Sequence, residues 1–287
     1  MTARAPRHRP RKRFAQHFLA PAWARRVVAA IDRQPGDVFL EIGPGQGAIT
    51  LPLAATGSPV LAVEVDRDLV AGLVPRVPPN VTLVSGDALT IDVIPYLTGL
   101  EPQRPPDRSA GLQPTRRFRI VGNLPYNLTT PILFRMIEWH RRHALFADAT
   151  LMVQREVADR LTARAGTREY GVLGISAQVH TTIRRLLDLP PGAFSPQPKV
   201  RSSVIKMTFG PPNVRLADET IFDALIRALF SQRRKTLLNA LKPFDPQAAA
   251  TLASVDLDGR RRPETLQLAE IAGLVAAIAA ARRPPVL

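Results

Sequence analysis

Residues 38–47 constrain the fold more than any other stretch of the chain. Val38-Phe39-Leu40-Glu41-Ile42 is a short apolar run that reads as a buried strand, and it runs straight into Gly43-Pro44-Gly45-Gln46-Gly47. A helix is expected to follow through Ala55. A strand, a glycine-rich turn and a helix form the first half of a nucleotide-binding α/β unit. Glycine tolerates positive φ and has no Cβ, so the backbone can press against a ligand at the strand's carboxyl end. The spacing is Gly-x-Gly-x-Gly rather than Gly-x-Gly-x-x-Gly, and such turns also occur where nothing binds.

The residues around this unit repeat its logic. Ala22 to Ile31 has helical spacing, and Gln34-Pro35-Gly36 stops it. Val60–Val65 is expected as a second strand, Arg67–Val74 as a helix and Val81–Val84 as a third strand. Strands are also expected at Phe118–Val121, Thr150–Gln154 and Ser202–Phe209, with helices from Thr130 to about His140 and over Glu156–Thr162. Thr130-Pro131 supplies a capping hydroxyl followed by Pro at the first helical position. The alternation argues for an α/β fold, a parallel sheet with helices on both faces. Pro102 to Thr115, rich in Pro, Arg, Gly and Ser, reads as a surface insertion. Gly210-Pro211-Pro212 is the best boundary, since everything beyond it reads helical: Glu219–Phe230, Lys235–Leu241 and Gln267–Ala281. The expected organisation is a flexible basic arm (1–13), an α/β domain (14–210) and a helical C-terminal domain (211–287).

Two carboxylates stand at successive strand ends. Glu64 closes the second strand, where it could accept hydrogen bonds from both ribose hydroxyls. Asp87, in Ser85-Gly86-Asp87-Ala88, closes the third and could accept from an adenine amino group. Dinucleotide dehydrogenases share the loop and the first carboxylate, so these features leave the cofactor open. The next motif narrows it. Gly122-Asn123-Leu124-Pro125-Tyr126 follows the strand at 118–121 directly. The lone pair of adenine N6 is delocalised into the ring, which makes the amine a poor nucleophile. An Asn oxygen and a neighbouring backbone carbonyl can each accept one N6 hydrogen, polarising the nitrogen and aiming it at a methyl group. Pro125 stiffens the loop and Tyr126 offers a stacking ring, worth roughly 1–3 kcal/mol per base.

Charge bears on the partner. Lys and Arg number 39 against 24 Asp and Glu, a formal net charge of +15. That excess suits a polyanion, whose counterions are released on binding; base bias in an Arg-, Ala- and Pro-rich chain would produce a similar balance. The absence of cysteine excludes disulfides, thiolate metal sites and a thiol nucleophile. Five scattered histidines form no spaced ligand set, so no metal is expected. Met1 to Arg13 is basic without an apolar stretch behind it, which does not read as a secretory signal, and a cytoplasmic location is the default.

Taken together, these residues resemble the ribosomal RNA adenine N6-dimethyltransferases that modify small-subunit rRNA, over nearly the whole chain. The matching segments are 12–19 (Lys12 to Leu19), 41–45, Glu64-Val65-Asp66, Asn123-Leu124-Pro125-Tyr126, 154–158, Tyr170-Gly171, 194–200 (Phe194 to Val200) and 232–237 (Gln232 to Leu237). The resemblance implies a seven-stranded Rossmann-like S-adenosylmethionine methyltransferase domain and a small all-helical C-terminal domain. It implies transfer of two methyl groups to each of two adjacent adenosines during ribosome biogenesis. By motif position, Gln16, His17, Leu19, Gly43, Gly45, Glu64, Asp87, Ala88 and Asn123 would form the cofactor site. Asn123 and the Leu124 carbonyl would hold N6, with Pro125 shaping the loop and Tyr126 and Phe194 sandwiching the base. Ala15 stands where the family usually has Gly, and His17 where Asn is frequent.

Arg11, Lys12, Arg13, Arg233, Arg234 and Lys235 are the candidate RNA contacts, and Arg260-Arg261-Arg262 is a further cluster. Cations at the helix start after Arg233 oppose the macrodipole, so an external anion would relieve them. With few tyrosines and tryptophans, recognition of RNA shape through the backbone is expected rather than broad base stacking. The expected partner is small-subunit rRNA within an assembling ribosomal subunit; the chain is expected to act as a monomer without a membrane. A large-subunit rRNA adenine methyltransferase of the macrolide-resistance type shares fold and chemistry, but segments 194–200 and 232–237 favour the small-subunit type. A non-catalytic RNA-binding assembly or transcription factor is the alternative from another class, and the intact Asn123–Tyr126 loop speaks against it.

Overall fold

The structure, a computed structural model, describes residues 17–100 and 118–282. Arg11, Lys12, Arg13, Gln16 and the expected insertion at 102–115 lie outside the described residues. The chain forms β1 (Phe18–Leu19), α1 (Pro21–Ala30), β2 (Val38–Ile42), α2 (Thr50–Ala54), β3 (Val60–Glu64), α3 (Arg67–Leu73), β4 (Val81–Ser85) and α4 (Ile94–Gly99). It continues with β5 (Phe118–Asn123), α5 (Thr129–His143), β6 (Phe146–Gln154), α6 (Arg155–Leu161), α7 (Val172–His180), β7 (Thr181–Leu189), β8 (Phe194–Ser195) and β9 (Ser202–Phe209). The helices α8 (Glu219–Ser231), α9 (Leu237–Leu241), α10 (Ala248–Ser254) and α11 (Leu268–Arg282) complete it.

Seven strands form one sheet in the order β4-β3-β2-β5-β6-β9-β7. The first five run parallel, and β9 lies antiparallel to β6. β2 and β3 are buried at all five positions, which is why they read as continuous apolar runs: helices cover a parallel sheet on both faces. The strand order reverses at β2, flanked by β3 on one side and β5 on the other. Ligands of open α/β sheets bind beyond the carboxyl ends at such a switch point. Register puts Ile42 opposite Gly122, so the glycine loop and the Asn123 loop leave the sheet side by side.

The amino ends of the same strands are pinned by charge. Arg119, 1% exposed, donates to Asp148 Oδ1 at 2.8 Å, to Asp37 Oδ2 at 2.7 Å and to the carbonyls of Ile31 and Asp32. One buried guanidinium thereby ties β5 to β6 and to the α1–β2 turn, which carries Asp32 at φ 54°.

By packing, the described residues divide into one unit within 17–158 and 183–209 and a second within 159–182 and 210–282. The second unit takes in residues 159–182, which the sequence places with the α/β domain. The reason is the core they join: Tyr170, Ile175 and Val179 share apolar neighbours with Phe222, Leu225, Leu229, Leu274 and Ile278. The first unit's core gathers Val27, Ile31, Phe39, Leu53, Val60 and Val121. Six elements are not evident from sequence: the helices α4, α7 and α10, the short paired strands β1 and β8, and the edge strand β7. The expected cap at Thr130 also differs. α5 begins one residue earlier, and Thr129 Oγ1 donates back to the Pro125 carbonyl at 3.1 Å. No helix among the described residues is long and apolar enough to cross a membrane.

Candidate active site

The glycine loop is held by the carboxylate of the neighbouring strand. Gly45, at φ +57°, donates its N–H to Glu64 Oε2 at 3.0 Å, and Asp66 N–H donates to Oε1 at 3.0 Å. Positive φ frees the Gly45 amide to point back at the β3 end, a conformation that a side chain would strain. A carboxylate has about four acceptor positions, so Glu64 keeps capacity for a further donor. Burial raises the Glu64 carboxyl above its ordinary value, against the backbone amides of Asp66, Gly45 and Val65, which favour the charged form. Asp87 follows β4, exposed, with Oδ1 accepting from Leu89 N–H at 2.9 Å.

β5 delivers the second loop. A Cβ on Gly122 would lie 2.7 Å from the Ile42 carbonyl oxygen, so only glycine lets β5 end this close to β2. Asn123 then donates from Nδ2 to the His17 carbonyl at 2.7 Å, which leaves Oδ1 as a spare acceptor. Leu128 N–H and Thr129 Oγ1 both donate to the Pro125 carbonyl and fix the turn. The Leu124 carbonyl has no donor among the described residues. Tyr126 Oη lies 2.6 Å from Ser202 Oγ, and burial raises its phenol above the ordinary value, so it stays protonated at neutral pH.

A strap closes over both loops. β1 pairs antiparallel with β8, Phe18 opposite Ser195 and Leu19 opposite Phe194, and Ala20 N–H donates to the Ala193 carbonyl at 2.8 Å. Beneath it lies an open cleft with mostly apolar walls. His17, Leu19, Gly43, Gly45, Glu64, Asp87, Ala88 and the whole run Asn123–Tyr126 line it. Phe194 does not: it is 3% exposed and packs in the core of the first unit.

Sequence reasoning missed Glu41. It lines the cleft at 1% exposure, and its Oε2 has no hydrogen-bond partner. Burial pushes its carboxyl up to about 7; the charge of Glu64 adds to this and Thr50 opposes it. A glutamate inside the apolar run 38–42 was the available signal, since a charge in a buried strand needs a reason. Fitted against these groups, S-adenosylmethionine is a good match. Its sulfonium and ammonium suit a cleft lined by the three carboxyl groups of Glu41, Glu64 and Asp87, its ribose suits the remaining acceptor capacity of Glu64, and Ile42, Ile49, Val63 and Leu69 supply apolar walls.

Arg233, Arg234 and Lys235 are exposed in the turn between α8 and α9, and Arg233 Nη2 donates to the Arg168 carbonyl at 2.7 Å. The Arg260–Arg262 cluster is not uniform. Arg261 is committed to Glu270 at 2.6 and 3.0 Å, whereas Arg260 and Arg262 are exposed. No group of three or more potential metal ligands occurs among the described residues.

Fold and site together define the Rossmann-like methyltransferase class. The structure resembles a dimethyladenosine transferase from Plasmodium falciparum, with a TM-score of 0.72 at 22% identity over 92% of this chain and 98% of that one. It also resembles the 23S rRNA methyltransferase ErmE, with a TM-score of 0.57 at 21% identity over 94% and 98%. At these identities the likeness concerns the fold. Residues 7–279 match the ribosomal RNA adenine dimethylase family. The chain is 40% identical to the ribosomal RNA small subunit methyltransferase A of Laribacter hongkongensis (strain HLHK9) over 270 residues, 92% of this chain and 94% of that protein. It is likewise 40% identical to the protein of that name from Aromatoleum aromaticum (strain DSM 19018 / LMG 30748 / EbN1), over 95% and 96% of the two chains. The chain belongs to the ribosomal RNA adenine dimethylase family, whose methyl donor is S-adenosylmethionine.

Proposed function

We propose that this chain transfers methyl groups to N6 of two adjacent adenosines in small-subunit rRNA, within an assembling subunit in the cytoplasm, and that it acts as a monomer. The observation that carries the reading is the juxtaposition of the Asn123 loop and the Glu64-braced glycine loop in one cleft. The relatives' name supplies the small-subunit target. S-adenosylmethionine supplies a methyl group on a sulfonium, activated without metal or covalent enzyme chemistry. Gly43, Gly45, Glu64, Asp87 and Ala88 would hold it, with Glu41 offering its unpartnered oxygen to the cationic part.

The chain's own groups do the rest. The His17 carbonyl takes the Asn123 amide nitrogen, so Oδ1 faces away as an acceptor for one N6 hydrogen. The unengaged Leu124 carbonyl accepts the other. Two acceptors draw the hydrogens into one plane and leave the lone pair pointing out of it, toward the donor side. After the first transfer one N–H remains for one acceptor, so the same pair serves the second. Tyr126 stacks the base while Ser202 fixes its hydroxyl; the displaced proton leaves to water, because neither Asn nor a protonated phenol takes it. The strap of β1 and β8 excludes bulk water from the donor.

The first unit is read as the catalytic domain. Arg233, Arg234 and Lys235 of the second, with Arg11, Lys12 and Arg13, are read as phosphate contacts. Asn123→Ala tests the catalytic reading: methyl transfer to undermethylated small subunits should fall by on the order of 100-fold, while RNA binding in a filter assay stays near wild type. Full activity in that variant removes Asn123 from its role.

A further inference from the structure

His17 makes three contacts that the methyl-transfer reading does not use together. Its carbonyl orients Asn123. Its imidazole stacks on the Tyr126 ring, with centroids 5.4 Å apart and planes 28° from parallel. Its Nδ1–H donates to the Pro196 carbonyl at 2.7 Å. The ring therefore occupies a face of the aromatic platform that the target adenine needs, and it is fastened there from the loop that follows β8. Tyr126 is the fixed partner, because Ser202 holds its hydroxyl. His17 is the movable one, half-exposed at the edge of the cleft.

We propose that the His17 imidazole is a displaceable cap on Tyr126, and that the substrate base enters by exchanging places with it. The idea rests on the reading of Tyr126 as the base-stacking residue. Geometry favours exchange over insertion. Stacked rings 5.4 Å apart leave no room for a base between them without separating the strap from Tyr126, and that strap carries the carbonyl that orients Asn123. Rotating the imidazole away leaves the backbone contact in place. The cap also shields Tyr126 from water and from adventitious planar ligands until RNA arrives. Its cost is a fraction of molecules that are not open to substrate, which raises the apparent KM in proportion.

His17→Asn isolates the ring, since an asparagine amide can still donate to the Pro196 carbonyl. With undermethylated small subunits as substrate, KM should fall by about two- to tenfold. His17→Phe, which keeps a ring, should leave KM at or above the wild-type value. A KM that rises or stays level in His17→Asn overturns the proposal and makes the imidazole a supporting or passive group. Proton NMR reads the cap without catalysis. Of the five histidines, the signal lost in His17→Asn should show an upfield ring-current shift that disappears in Tyr126→Leu. Saturating adenosine monophosphate should reverse the shift in wild type. A His17 signal without that shift, or one that stays put, also overturns the cap. If no particle is methylated by any form, the methyltransferase reading fails on its own, and the NMR measurement still decides the cap.

Discussion

Glu41 and Glu64 face one cleft, and the charge of each raises the cost of ionising the other. Burial puts Glu41 at about 7, so the cleft gains negative charge as pH rises through neutrality. If Glu41 helps hold a cationic donor, S-adenosylmethionine binding measured by calorimetry should tighten between about pH 6 and pH 8. In Glu41→Gln the profile should flatten and binding at the alkaline end should weaken; an unchanged profile would remove Glu41 from the donor site. Linkage fixes the stability effect. A carboxyl whose folded value lies above its unfolded one binds its proton more tightly when folded, so this group's contribution falls as pH rises from about 4.5 to about 7 and is level above. Denaturant unfolding at several pH values should show that slope in wild type and lose it in Glu41→Gln. Of the two carboxylates, only Glu64 was legible in the sequence. Its place at a strand end advertises a ligand, whereas Glu41 sits inside an apolar run, and that its carboxyl reaches the cleft is visible only in the structure.

At the scale of elements, two close approaches carry the architecture. Gly122→Ala would drive a Cβ into the Ile42 carbonyl at 2.7 Å. The expected result is a loss of about 1–3 kcal/mol in stability, with a larger fall in methyl transfer than in fold, because Asn123 is the next residue. A variant with full kcat would show that β5 need not end so near β2. At the other end of the sheet, Arg119→Met leaves Asp37 and Asp148 buried without their cation. Urea unfolding should then report a loss of about 3–5 kcal/mol; a loss under about 1 kcal/mol would mean that water or Lys206, 3.1 Å from Asp148, substitutes for it. Most strands were legible from burial periodicity, and β9 was legible to its last residue because Ser202–Phe209 alternates. β7 was not. Thr181–Leu189 places Arg184 and Arg185 side by side and Leu186 and Leu187 after them, which breaks the period-2 alternation that marks a strand. α7 escaped for a related reason: Gly174 and the β-branched Val172, Ile175 and Val179 argue against a helix locally. Its choice is settled by the core it joins and by backbone so close that a Cβ on Gly174 would collide with the Arg160 carbonyl.

For the whole molecule, the proposal that the exposed turn 233–235 meets phosphates, in a chain of net charge +15, makes a prediction about salt. Binding should weaken with salt at a log–log slope of roughly −0.7 to −0.9 per phosphate. Replacing Arg233, Arg234 and Lys235 together by Ala should make the slope shallower by about 1 for each phosphate that is no longer neutralised. An unchanged slope would assign the turn to the solvated surface. The break after Phe209 was visible in Gly210-Pro211-Pro212, but the return of 159–182 to the helical core was not, since a chain that leaves a unit and re-enters it writes no composition change. The Asn123–Tyr126 loop is proposed to dimethylate adenosine in small-subunit rRNA. The most direct test gives the purified chain isotope-labelled S-adenosylmethionine with undermethylated small and large ribosomal subunits, then analyses the nucleosides of each by mass spectrometry. Labelled N6,N6-dimethyladenosine at two adjacent positions of the small-subunit RNA is the predicted result; label in the large subunit, on another atom, or in neither particle would contradict it.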